Sequence, residues 1–116
     1  MTREETVARL RAWAARAQHE ALEADTRENI LHWQAQAQVL SSIASFLADQ
    51  GSTSDDDQIW KRVVADRSKS LAVWLIQPAG AEAAFYAGEV AGYDVALTAL
   101  RDLTGRVWPL AEPHVG

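Results

Sequence analysis

The stretch "FYAGEVAGYDVAL", residues 85–97, carries helical spacing throughout, yet Gly88 and Gly92 stand four residues apart in its middle. Each interior glycine costs roughly 1 kcal/mol relative to alanine, because it loses the most backbone freedom on folding and has no side chain to pack. A second helix backbone lying on the pair offsets that cost. At 100° per residue, Ala84, Gly88, Gly92 and Ala96 form one row at four-residue steps, and Tyr86, Val90, Tyr93, Leu97 and Leu100 form a second. Only a strip around Asp94, Thr98 and Arg101 is plainly polar, so this helix is expected at the centre of the fold, touched on two or more sides. A row without side chains admits a neighbour near the low end of the usual interaxial range of about 8–10 Å, and the close approach adds dispersion contact along both backbones. The same spacing occurs in membrane helices. Glu89, Asp94 and the short apolar run oppose that reading here.

Outward from this helix, glycine and proline punctuate the chain at residues 49–57, 77–80, 104–106 and in the tail, and no segment alternates with period two. The spacing predicts an all-α fold: three long helices in a helical bundle, residues 1–105, with an extended tail over 106–116. The first helix is expected to open at Thr2, with Glu5 completing a capping box, and to run to about residue 49. Its early seam of Val7, Leu10, Ala14, Ala17, Ala21 and Ala24, with Trp13 on the edge, suits a narrow coiled-coil contact. That seam is the expected occupant of the glycine track, in the same chain or in another copy. From residue 30 the stripe becomes Ile30, Trp33, Ala37, Leu40, Ala44 and Leu47, one residue out of register, and the slip falls at residues 24–28. Asp25 with Glu28 could cap a fresh helix there. With no glycine or proline to enforce a break, one long helix with room for a kink near residue 25 is preferred. Ser54 is the expected cap of the second helix, ahead of Asp55, Asp56 and Asp57, with an inner stripe of Trp60, Val64, Arg67, Leu71 and Trp74. The third runs over about 79–103, and Gly105 supplies a left-handed C-cap.

Length and charge narrow the function. A chain of 116 residues forms one modest domain without staples. It holds no cysteine, which excludes a disulfide framework, a zinc-thiolate site and a thiol nucleophile, and fits a reducing, cytoplasmic setting. No apolar run is long enough to span a bilayer, and MTREET lacks the pattern of a signal peptide, so no membrane association is expected. A net charge of -5 disfavours nucleic acid as a partner.

No residue pattern demands a cofactor, a metal or a catalytic role. Arg67 and Glu89 both fall on inward stripes, and a salt bridge between them is the economical expectation. His32 lies near Asn29 and Gln36 as a polar cluster. His19 and Glu23 have a chelating i,i+4 spacing beside Glu20. The Glu-x-x-His repeats of ferritin-like di-iron proteins do not occur. Glu20-x-x-Glu23 matches half of the paired motif in small all-α nucleotide pyrophosphohydrolases, but no Glu-x-x-Asp answers it. Lys61, Arg62, Arg67 and Lys69 balance local acidity more readily than they track phosphates. The five tryptophans read as core, although Trp108, Leu110 and Val115 make the tail too apolar to be idle.

Residues 85–100, "FYAGEVAGYDVALTAL", carry aromatic-x-Gly-x-x-x-Gly-aromatic-x-x-Ala-Leu, a pattern that resembles small helical proteins of tailed-phage and prophage modules. The resemblance implies a virion-associated or host-modulating oligomer and transfers no functional residue. The expected function is therefore a non-enzymatic protein-interaction and homo-oligomerisation module. Its contact residues are expected to be Val7, Leu10, Trp13, Ala14, Ala17, Gly88, Gly92, Trp108 and Leu110. The alternatives are a small metal-dependent hydrolase using Glu20, Glu23, Glu89 and His32, and a nucleic-acid binder working through the second helix.

Overall fold

Thr2 begins the first helix as the sequence predicts. The Glu5 backbone N–H donates to Thr2 Oγ1 at 3.1 Å, the Thr2 N–H donates back to the Glu5 carboxylate at 3.4 Å, and α1 runs Arg3–Glu23. It does not continue. In this computed structural model, which describes residues 2–50 and 55–108, Ala24 turns to φ -71°, ψ 141°. The Thr26 hydroxyl then accepts the Asn29 N–H at 3.1 Å to open α2, Arg27–Gln50. With α3 at Asp56–Ile76 and α4 at Ala81–Thr104, the described residues form four helices where three were expected. The register slip at residues 24–28 is the reversal itself. Turning back lays Val7, Leu10, Ala14, Ala17 and Ala21 against a second apolar stripe holding Leu40, Ala44 and Leu47, all of them buried. That burial outweighs the helical hydrogen bonds given up in a three-residue joint.

Two other ends are settled by local chemistry. Asp55 caps α3 by accepting the Gln58 N–H at 2.7 Å. The expected cap Ser54 lies outside the described residues. Gln77, extended before Pro78, closes α3, and Gly105 at φ 75° closes α4 as predicted.

The helices run alternately up and down. Arg3, Val7 and Ala8 of α1 lie beside Leu47 and Ala48 of α2, so these two are antiparallel. Arg9 reaches Asp102 at 2.7 Å, and Arg67 reaches Asp94 at 2.6 Å, placing α1 and α3 antiparallel to α4. Consequently α2 and α4 are parallel, and they are nonetheless packed directly on each other. The glycines make this contact possible. A Cβ at Gly88 would stand 2.2 Å from the His32 carbonyl oxygen and 2.9 Å from its Cα; one at Gly92 would stand 2.9 Å from Val39 Cβ and 3.1 Å from the Gln36 oxygen. The track is thus occupied, as its composition implied, but by residues 32–39 of α2 rather than by the alanine seam of α1.

With the parallel pair in contact, α1 and α3 are displaced to its flanks and the body spans 42 × 38 × 21 Å, two helix diameters thick. The larger apolar side chains gather toward the end shared by the α1 N-terminus and the α4 C-terminus: Leu10, Leu40, Ile59, Leu97 and Leu100 are fully buried there. Trp108 joins them, edge-on to Trp60 at 6.2 Å, with its carbonyl accepting from Arg101 at 2.8 Å. The start of the tail therefore packs on its own chain; residues 109–116, with Leu110, lie outside the described residues. Among the described residues no helix is long and apolar enough to cross a membrane.

Substituting alanine into the track tests the seating of α2. Gly88→Ala is expected to lower unfolding free energy by about 3 kcal/mol, because backbone atoms must move. Gly92→Ala, which meets Val39 Cβ at 2.9 Å and the Gln36 carbonyl oxygen at 3.1 Å, should also lose stability, by about 2 kcal/mol, less than Gly88→Ala because the approach is longer. Urea titrations that found both variants as stable as the parent would contradict the contact.

Candidate functional site

Displacing α1 and α3 opens two clefts, one on each side of the α2/α4 pair. The first, about 510 Å³, lies between α1 and α4 over α2 and is walled by Trp13, Trp33 and Val95, with Arg16 and Glu20 at its edge. The second, about 480 Å³, lies between α2 and α3 with α4 as floor. Its apolar wall is Val39, Ile43, Phe46, Ile59, Val63 and Phe85, and its polar groups are Gln38, Ser42, Arg62, Asp66, Glu89 and Tyr93.

Glu89 is the chemically unusual member. Partial burial pushes its carboxyl above the ordinary value, opposed by the Ser70 hydroxyl beside it, which favours the ionised form. The expected Arg67 to Glu89 bridge does not form. Because α3 and α4 are antiparallel, Arg67 comes level with Asp94, and its guanidinium also faces the Trp108 ring at 5.2 Å. Glu89, one turn further on, meets Ser70 instead. Arg62, the remaining cation of the cleft, lies 4.7 Å over the Phe46 ring. Burial likewise raises the Tyr93 hydroxyl, with the Asp66 and Glu89 charges adding to it, so Tyr93 stays a neutral donor.

The residues expected at a partner surface are mostly internal. Val7, Leu10, Ala14, Ala17, Gly88, Gly92 and Trp108 are buried within the chain's own fold. Trp13 is half-buried with Arg9 at 4.7 Å over its ring. The hydrolase constellation is not assembled either. His19 and Glu23 pair at 3.2 Å on the exposed face of α1, Glu20 lines the first cleft, and Glu89 lies in the second. His32 stacks edge-on against Trp33 at 5.5 Å. No group of three or more metal-ligating side chains occurs among the described residues.

What sequence reading missed is the outward end of α3. The helical period puts Trp74 on an inner stripe, yet it is 37% exposed, and Leu75 and Ile76 are 73% and 79% exposed. The row Phe85, Glu89, Tyr93, aromatic-acid-aromatic at four-residue steps, was the available signal for the second cleft. Comparison with protein-family models, with curated proteins and with solved structures finds no match to this chain.

The Glu89 environment fixes the sign of a pH effect. A carboxyl raised in the folded state destabilises the fold where it is ionised, and that penalty is relieved as pH falls through its raised value toward the unfolded one. Glu89→Gln should therefore be more stable than the parent at neutral pH, with the difference shrinking on acidification through the weakly acidic range. Thermal melts across pH check this; a variant less stable at pH 7 would mean that the ionised carboxylate is held by favourable contacts.

Proposed function

We propose that this chain is a non-enzymatic helical bundle that self-associates and works by binding protein. The observation that carries the reading is the run Trp74, Leu75 and Ile76 at the end of α3, whose successive side chains point round the helix into solvent. A cluster of large apolar side chains left exposed marks an interaction surface more often than single scattered residues do. A second copy of the chain suits it. Among the described residues Leu22, at 86%, and Val107, at 69%, are also strongly exposed; Leu22 sits at the α1–α2 corner beside exposed Glu23, Asp25, Arg27 and Glu28. Exposed Lys69 lies about 9 Å along the axis from Leu75, at 1.5 Å per residue. Exposed Arg27 stands among the acids at the corner and exposed Glu82 follows the α3 end, so the contact between copies is proposed on the apolar side chains rather than on charge. The likeness of residues 85–100 to small phage-module proteins supports a virion-associated or host-modulating setting for such an oligomer.

Sedimentation equilibrium from micromolar to hundreds of micromolar should show mass rising with concentration. Leu75→Glu should weaken that association by about tenfold or more while leaving stability within about 0.5 kcal/mol, as expected of an exposed position. A compact monomer throughout the range would overturn the reading.

A further inference from the structure

In the cleft between α2 and α3, Glu89 stands without a cation in direct contact among the described residues: Arg67 is held by Asp94, and Arg62 lies over Phe46. Ser70 supplies a neutral hydroxyl only. A partly desolvated carboxylate in an apolar setting is unfavourable until a cation reaches it.

The surroundings select which cation. Phe85 and Tyr93 stand one turn before and one turn after Glu89 on α4 and line the same cleft, so an ammonium at the carboxylate also lies near two aromatic rings. Asp66 adds a second negative charge from α3, and Arg62 is the only positive residue of the lining. An anionic ligand meets two carboxylates against one guanidinium, and a neutral apolar one leaves Glu89 partly desolvated without a charged partner. The apolar wall of Val39, Ile43 and Val63 leaves room for an alkyl chain, and about 480 Å³ lies within the ordinary range for small-molecule sites. A hydrated metal ion would use none of this apolar surface.

We propose that the α2/α3 cleft binds an aliphatic primary ammonium, with Glu89 as its counter-ion, Phe85 and Tyr93 flanking the charge, and the alkyl chain along α2. This site is separate from the α3 end used in self-association.

Titrations of the full chain with n-hexylammonium, 1-hexanol and hexanoate, followed by amide NMR, test the proposal. Hexylammonium should shift Ser42, Asp66, Phe85 and Glu89 saturably. Hexanol should bind about tenfold or more weakly, since it lacks the charge-assisted bond, and hexanoate should leave the cleft unperturbed. Glu89→Gln should bring hexylammonium down to the affinity of hexanol, with hexanol unchanged. Equal affinity of hexylammonium and hexanol for the parent protein would overturn the proposal. So would shifts spread over surface acids such as Glu4 and Asp25 in place of the cleft, or full ammonium binding by a folded Glu89→Gln variant.

Discussion

The His32 carbonyl oxygen fills space that a methyl group at position 88 would need, and the Gln36 and Val39 region repeats the approach at Gly92. In an alternating up-down chain of four helices, the parallel α2 and α4 would ordinarily face each other across a diagonal, separated by side chains of all four. Here the diagonal is closed to backbone contact. Closing it forces the other diagonal open, moves α1 and α3 to the flanks and flattens the body to two layers. Both clefts follow from this one approach, because a helix on each flank can lie well against only one member of the central pair.

Ion pairs then hold the flanking helices in orientation. Arg3 reaches Asp56 at 2.8 Å across the α1/α3 ends, Arg9 reaches Asp102, Arg67 reaches Asp94, and Arg106 forks onto Asp57. Each is partly exposed, so solvent screening leaves it acting more on geometry than on stability. The Arg106 and Arg9 guanidiniums keep Asp57 and Asp102 below the usual carboxylate value, a contribution present at neutral pH and lost as pH falls through those lowered values. Glu89 titrates with the opposite sign. The cleft is thus electrostatically distinct from the paired surface around it.

Much of the helical content was legible in the sequence, because the signals were local: Thr2 with Glu5, Pro78 after Gln77, Gly105 after Thr104, and the apolar spacing between them. The side-chain-poor track was legible for the same reason, since an interior glycine pair has a cost that only close approach offsets. Its occupant was not. Which helix settles on a groove depends on long-range geometry, and the alanine seam of α1 was as smooth a candidate as α2. The break at residue 24 was visible only as a slip of register, because Ala24, Asp25 and Thr26 are all tolerated in helices. The Arg67 to Glu89 pairing failed for want of the α3/α4 register, which placed Asp94 closer. Trp74 was misread because period identifies a stripe without saying how far along it a partner extends. Since α3 outruns its cover, the stripe continues into solvent.

The seat of α2 on α4 makes unequal demands on its two sides. At position 88 anything larger than hydrogen collides with a main-chain atom, whereas at position 32 the contact is made by Cα, carbonyl carbon and oxygen, which every residue type possesses. The histidine side chain is therefore free of that contact and is available to be whatever the rim beside Trp33 requires. At this point of the crossing, tolerance to replacement lies with position 32 and is nearly absent from position 88.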